Sequence, residues 1–293
     1  MLEPQVINGN PYYIMSMSGL AAFKRCRKSF DLGYVRGYQP REVGTPVEDG
    51  RAFHEHMAAL ATGEYDVLGK VAEGDEMAAV AWRYNTSHPV PTGDSVLAVE
   101  APVYIKLLAP FGGFPGVILR CTFDIAFRAG RWVVLRDYKT FDRAPTLHVD
   151  LDFQGRIYTA VGMRYYETAD VFFEYAYVRR TMPGVPKDKA GKMWTEDDCY
   201  QTVQLNISVA EGDTLWRETQ WVAQDMVKCI MEPRFYRQDL KVGPHSCSSC
   251  FYRHGCSAEI ANGTLTPETA DFWYTVREPI TIPLGTHIAL LAT

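Results

Sequence analysis

The sequence predicts an α/β fold in which a mixed β-sheet is flanked by helices. Three observations carry that expectation. Residues Phe123–Tyr138 read as a β-hairpin, Asp150–Tyr166 as a helix, and Ala169–Arg179 as an apolar, aromatic strand that follows it. Strands interleaved with helices are the pattern of a sheet covered by helical layers.

The hairpin comes first because its polar face carries chemistry. Phe123, Ile125 and Phe127 alternate with Asp124, Ala126 and Arg128, the period of a half-buried strand. After Ala129-Gly130, the run Trp132–Tyr138 is β-branched, aromatic and leucine-containing, as a paired strand should be. A turn centred on Ala129-Gly130 sets Arg128 opposite Arg131 and Asp124 opposite Leu135. Side chains two apart share a face, so Asp137 and Lys139 join Leu135 there. Asp124 is then diagonal to Asp137, with Cβ atoms roughly 7 Å apart. Two carboxylates so placed repel unless a cation lies between them. They can hold a hard divalent ion such as Mg²⁺ or Mn²⁺. Lys139 can reach a phosphate or an attacking water. A one-residue slip in register would send Asp124 to the other face. An Asp-x-Lys alone would equally suit an edge hairpin with a wet polar face.

The helix after the hairpin places Gln154 and Tyr158 one turn apart on one face, as i,i+4 neighbours. Upstream, residues 1–15 are expected to be extended, and Ser16 or Ser18 can cap a helix running to Tyr34. That helix carries Cys26 among Lys24, Arg25, Arg27 and Lys28, a basic flank able to meet phosphates. Residues 35–49 read as a loop and Gly50–Thr62 as a helix with Phe53, Met57, Leu60 and Ala61 on its apolar face. His54 and His56 fall in that helix, and His56 is assigned a structural or exposed place. A second helical stretch, Gly74–Asn85, precedes an expected strand over Ser95–Leu107 that contains Glu100. Pro102 marks an edge or an end of it. Downstream, Met182–Asp198 reads as a polar, Lys-rich excursion, either a solvent loop or a nucleic-acid-facing flap, and Cys199–Val209 as a strand returning beside Ala169–Arg179. Glu211–Met231 is a long helix with Leu215, Val222, Met226, Cys229 and Ile230 on its inner side.

At 293 residues and 47% hydrophobic, the chain can bury a sizeable core, as one large domain or a core with additions. The net charge of −5 gives no global basic field. Contact with nucleic acid must come from local patches and from metal. No apolar run approaches the roughly 18 residues of a membrane span. The start MLEPQVINGNPYYI lacks the basic-then-apolar order of a signal peptide. Seven cysteines, an odd number, suit a reducing, cytoplasmic setting better than a disulfide framework. Cys121, Cys199 and Cys229 have no ligand-like spacing and read as packing residues. Cys247, Cys250 and Cys256 are different, because they form a Cys-x2-Cys-x5-Cys cluster. Thiolates that close call for a metal to neutralise them. The fourth ligand could be Cys26, His245 or His254. A histidine would point to structural zinc. Cys26 would suit zinc or a [4Fe-4S] cluster equally on ligand count.

The order Gly50-x-x-x-His54, Asp124, Asp137-Tyr138-Lys139 and Gln154-x-x-x-Tyr158 resembles the PD-(D/E)XK nuclease superfamily, and within it the RecB-like branch. One departure is Cys121, which stands where that branch usually has glycine, three residues before Asp124. The resemblance implies a restriction-endonuclease-like core. It implies that His54, Asp124, Asp137 and the Tyr138 carbonyl bind Mg²⁺ or Mn²⁺, with Glu100 on the preceding strand able to help. It gives Lys139 the attacking water or the transition state, and Gln154 and Tyr158 the orientation of the DNA backbone. A subset of the branch, the AddB-type and CRISPR-adaptation nucleases, carries one cysteine before the nuclease motifs and three after them. By that likeness Cys26, Cys247, Cys250 and Cys256 hold a structural [4Fe-4S] cluster that staples the first helix to the C-terminal segment. The chain would be one nuclease domain over 1–263 with a tail, 264–293, that packs as an edge strand or makes a subunit contact. The expected activity is a Mg²⁺- or Mn²⁺-dependent DNA exonuclease acting on DNA ends or single strands in recombination, repair or phage DNA processing. The expected partners are DNA and a second copy or a recombination protein, with no membrane. The alternative is a non-catalytic Fe–S or zinc DNA-binding recombination partner.

Overall fold

The computed structural model describes residues 2–41, 45–142, 152–187, 189, 191–233, 235, 247, 250–283 and 286–289. They fall into two compact units. The first comprises Met1–Val43, Tyr104–Cys121 and Trp216–Thr293, and the second Gly44–Val103 and Thr122–Leu215.

The first unit begins with strands β1 (Gln5–Ile7) and β2 (Asn10–Ser16), paired antiparallel. Asn8 and Gly9 between them both have positive φ, 49° and 77°. Asn-Gly is the dipeptide that tolerates this at a two-residue hairpin turn. The N-terminus is extended as expected from sequence, and the turn at Asn8-Gly9 folds its two strands into a hairpin. Ser16 then caps helix α1 (Met17–Arg25), its hydroxyl accepting from the Gly19 N–H at 3.2 Å. The helix does not run on to Tyr34. Cys26 is extended, with φ −157° and ψ 112°, and separates α1 from the short α2 (Arg27–Phe30) and a π-helical turn over Asp31–Val35. No glycine or proline lies between Leu20 and Leu32, so the break has no local signal.

β2 runs parallel to β6 (Gly116–Thr122), and next to β6 lies β5 (Pro102–Leu108). The tail adds β12 (Ile288–Ala289) as a parallel edge strand on β5. A second pairing joins β3 (Tyr38–Pro40) to β11 (Tyr274–Val276). The further helices of this unit are α9 (Arg253–Asn262), α10 (Pro267–Trp273) and, from Trp216 onward, α8 (Val209–Met231). Lys28 sits 2.6 Å from both Asp31 and Glu259, and Arg36 reaches the same two carboxylates at 2.9 and 2.8 Å. This four-charge group ties the N-terminal helical segment to α9.

The second unit is built on a five-stranded sheet in the order β10 (Tyr200–Leu205), β9 (Val171–Arg179), β8 (Trp132–Phe141), β7 (Ile125–Ala129) and β4 (Val96–Val99). β8 and β9 are parallel and the other pairs antiparallel, so the sheet is mixed. The parallel pair is joined through α6 (Phe153–Tyr165), as a crossover requires. One face of the sheet packs Phe127, Val134, Tyr138 and Val178 against Phe53 and Met57 of α3 (Thr45–Thr62) and Tyr84 of α5 (Glu76–Ser87). The short α4 (Val67–Ala72) packs Val67 beside Ala59 and Ala78. The other face takes α6, where Gly162 permits close approach: a Cβ there would stand 2.6 Å from Leu135. A capped turn, α7 (Glu196–Cys199), leads into β10, which pairs with β9 as expected. Among the described residues no helix is long and apolar enough to cross a membrane.

The hairpin register differs from the sequence expectation. The observed pairs are Ala129 with Trp132, Ala126 with Leu135 and Ile125 with Arg136, so the turn is Gly130-Arg131. Gly130, at φ 62°, takes the first turn position, where that conformation favours glycine. Moving the turn by one residue moves the pairing by two, which leaves every side chain on its face. Asp124 therefore comes alongside Asp137 rather than diagonal to it. The expected strand over Ser95–Leu107 is also broken. Glu100, with φ 48°, lies between β4 and β5.

Lys28, Asp31 and Glu259 have side chains only 7, 5 and 8% exposed. Removing Lys28 leaves these two buried carboxylates to the partly exposed Arg36 alone, and such under-compensated buried charge costs up to about 3–5 kcal/mol. Lys28→Ala is expected to lower the unfolding free energy measured by denaturant titration by that much, while a substitution of the exposed Lys70–Glu73 pair lowers it by under about 1 kcal/mol.

Candidate functional site

The site is assembled on the second unit, where five segments converge. β8 supplies Asp137, Tyr138 and Lys139 in alternation. Tyr138 points into the α3–α5 core, and its neighbours point to the α6 face. The segment before β7 supplies Asp124, whose Oδ2 accepts the Tyr138 backbone N–H at 2.6 Å. That bond crosses the two arms of the hairpin and fixes the carboxylate.

α3 supplies His54. Gly50, one turn earlier, lies against Thr140: a Cβ there would meet the Thr140 hydroxyl at 3.3 Å. His54 Nε2 stands 2.8 Å from the Tyr138 carbonyl oxygen. Its Nδ1 lies 3.3 Å from Asp124 Oδ2 and 3.8 Å from Glu100 Oε1. Glu100 reaches this point because its backbone turns out of the strand direction. Its N–H donates to the Asp124 carbonyl at 3.0 Å. An uninterrupted strand would have carried it past.

α6 supplies Gln154, whose amide donates to Asp137 Oδ1 at 3.1 Å. Lys139 Nζ lies 2.5 Å from the other Asp137 oxygen. Tyr158, one turn further along α6, is 6% exposed and packs edge-on against Phe123 and Phe173. Sequence reasoning missed two residues here. Asp152 is the N-cap of α6, accepting from the Gly155 N–H at 2.7 Å. Tyr175 of β9, which pairs with Asp137 across the sheet, donates its hydroxyl to the same Asp152 carboxylate at 2.5 Å. An aspartate just before an apolar helical run is a recognisable N-cap, so Asp152 was legible; Tyr175 depends on a strand pairing.

The electrostatics follow from this crowding. Burial works to lower the His54 pKa, but hydrogen bonds to Asp124 and Glu100 and the charges of Asp124 and Asp137 outweigh it and lift it to about 10. Burial raises the Asp137 pKa, Lys139 works against that, and the Asp124 charge adds to it. The protonated imidazole thus occupies the position of a cation between carboxylates. His54, Glu100 and Asp124 bring one ligand atom each to within 4.8 Å of one another, the one such group among the described residues. Two carboxylates and an imidazole, with the Tyr138 carbonyl adjacent, form a mainly oxygen donor set that fits Mg²⁺ or Mn²⁺. The cysteines are elsewhere. Cys26, Cys247, Cys250 and Cys256 are free thiols of the first unit.

A mixed sheet carrying an Asp and an Asp-x-Lys beside a metal-capable histidine has the build of a nuclease core. The chain belongs to the PD-(D/E)XK nuclease superfamily, whose family model matches residues 14–257. No curated protein matches it. Among solved structures, one named SSO0001 is 14% identical, covers 89% of this chain and 90% of its own, and has a TM-score of 0.38. A second, named "Putative exonuclease" and from Eubacterium rectale, is 10% identical, covers 79% and 91%, and has a TM-score of 0.45.

A metal ion at His54 must displace the proton that this residue holds up to about pH 10. Lowering the pH therefore weakens binding and raising it strengthens binding, by about tenfold per unit where one proton is exchanged. Calorimetric titration with Mn²⁺ in buffers of different ionisation enthalpy is expected to show about one proton released per ion at neutral pH. In His54→Ala that release should vanish and the affinity fall.

Proposed function

We propose that this nuclease belongs to the RecB-like branch and is a Mg²⁺- or Mn²⁺-dependent DNA exonuclease acting on DNA ends or single strands. Recombination, repair or phage DNA processing in a cytoplasmic setting would be its context. The observation that carries the reading is the convergence of His54, Glu100 and Asp124 next to the Asp137–Lys139 pair. In it His54, Asp124, Asp137, Glu100 and the Tyr138 carbonyl hold the metal. When bound, the ion polarises the scissile phosphate and lowers the pKa of a water.

The protein groups have separable tasks. The Tyr138 N–H keeps the Asp124 carboxylate facing His54. Gln154 holds one Asp137 oxygen, leaving the other to Lys139. The Lys139 ammonium orients the attacking water and meets the charge that grows on the phosphoryl oxygens, where a fixed cation acts most strongly. Tyr158 keeps the Gln154 helix seated on Phe123 and Phe173, so that its contribution to DNA orientation is exerted through Gln154. The nuclease domain spans 1–263, with 264–293 as an appended tail, and a second copy or a recombination protein is the expected macromolecular partner besides DNA.

The same reading gives Cys26, Cys247, Cys250 and Cys256 a structural [4Fe-4S] cluster. Two observations support it. Burial raises the Cys250 pKa, and the charges of Cys26 and Cys247 raise it further, so these sulfurs share one neighbourhood. Tyr252, two residues after Cys250, packs on Gly33, where a Cβ would stand 2.4 Å from its hydroxyl. That contact brings the C-terminal segment to the helical turn just after Cys26. Four thiolates would supply the cluster's ligands and staple the two segments.

End-labelled single- and double-stranded DNA incubated with Mn²⁺ tests the activity. Degradation is expected, with loss of roughly a hundredfold or more in Lys139→Ala and abolition by chelator. A folded, metal-loaded protein that leaves every DNA form intact would move the reading to a DNA-binding role without catalysis. For the cluster, the protein purified without oxygen should be brown and contain iron, and Cys26→Ala should lose both properties. A colourless, zinc-containing protein would overturn the cluster.

A further inference from the structure

Beside the candidate metal group, on the same unit, lies an open pocket of about 580 Å³. It is lined by His54 and Glu100, by Arg51 and Glu55 of α3, and by Glu64 and Tyr65 just after that helix. Arg51 is exposed and, among the described residues, has no acidic partner. Tyr65 is 39% exposed, yet its hydroxyl is anchored from within. It stands 2.8 Å from Nδ1 of His56, a buried histidine that the metal group does not use. His56 Nε2 is in turn 3.2 Å from Asp75, whose other oxygen caps α5 through the Ala78 N–H at 2.9 Å. With the Nε2 proton directed at Asp75, Nδ1 accepts the Tyr65 O–H. The relay from a helix cap through a buried imidazole fixes an aromatic ring at the edge of the pocket.

A fixed, half-exposed ring next to a phosphodiesterase centre suits a stacked base, because every nucleobase has a π-face. The other groups sort the rest of a nucleotide. Glu55 and Glu64 repel a phosphate but accept N–H donors from a base edge, as carboxylates do with the cytosine amine. Arg51 is the free cation for an adjoining phosphate. We propose that this pocket is a subsite for a nucleobase of the strand being cut, stacked on Tyr65, read at its N–H edge by Glu55 and Glu64, with Arg51 on the neighbouring phosphate. The subsite rests on the nuclease reading above and adds to it a grip on the base beside the scissile bond. Thymine, which lacks an exocyclic amine, fits it least well.

The test uses the full chain and single-stranded oligonucleotides with 2-aminopurine at successive positions from each end. In a Lys139→Ala background the probe should be quenched by stacking at one position near an end. Tyr65→Ala should relieve that quenching, and Tyr65→Phe, which keeps the ring, should retain most of it. With Lys139 intact, Tyr65→Ala and Arg51→Gln should each raise KM about tenfold, more than they lower kcat. Cleavage by the wild type, with quenching and KM unmoved in both variants, overturns the subsite and leaves the nuclease reading standing. A wild type that cleaves no DNA overturns the nuclease reading, and the subsite with it.

Discussion

Everything at the candidate site depends on how the Asp124 carboxylate is held. It lies just before β7, and the Tyr138 N–H of the partner strand locks one of its oxygens at 2.6 Å. The same oxygen faces the His54 imidazole. The backbone donor and the imidazole meet at that one oxygen and hold the carboxylate in place beside Asp137. The hairpin register is therefore a functional constraint as well as a structural one. A shift by one residue would remove the donor and turn the carboxylate away.

Two helices clamp this hairpin from opposite faces of the sheet. α3 brings His54 over the end of β8, with Phe53 and Met57 buried on the same helix to fix its height. α6 brings Gln154 to Asp137 from the other face, its first turn set by the Asp152 cap and Tyr175. Each polar contact at the site is thus backed by apolar packing one residue away. The sheet is mixed because β8 and β9 are parallel, and the crossover helix α6 lies on the face where Asp137 and Lys139 emerge. Reactive groups near the carboxyl end of a parallel pair, beside the connecting helix, are well placed for a ligand that needs both.

The first unit has its own organising interaction, the buried Lys28, Asp31 and Glu259 joined by the partly exposed Arg36. It unites residues far apart in sequence and needs no cofactor. The segments it joins are those that carry Cys26 and Cys256. A thiolate cluster formed there would add to a contact already built from ion pairs and from Tyr252 on Gly33.

Much of this was legible in one dimension. Period-two alternation determined that Asp124, Asp137 and Lys139 share a strand face. Parity is robust, so the misplaced turn left that conclusion intact even though it shifted the pairing by two. Helical spacing determined that Gln154 and Tyr158 lie one turn apart and that His54 lies one turn beyond Gly50. The Asn8-Gly9 turn and the Asp152 cap were also written locally and went unread. What only the tertiary structure decided is where those faces meet. The left-handed Glu100, the Tyr175–Asp152 bond and the His56–Tyr65 relay each depend on a partner outside their own element, and the break at Cys26 has no local signal. Local patterns fix which side a residue faces, since that depends on backbone period alone. Distances between carboxylates, imidazole and lysine depend on how whole elements pack, and that is settled only when the chain closes on itself.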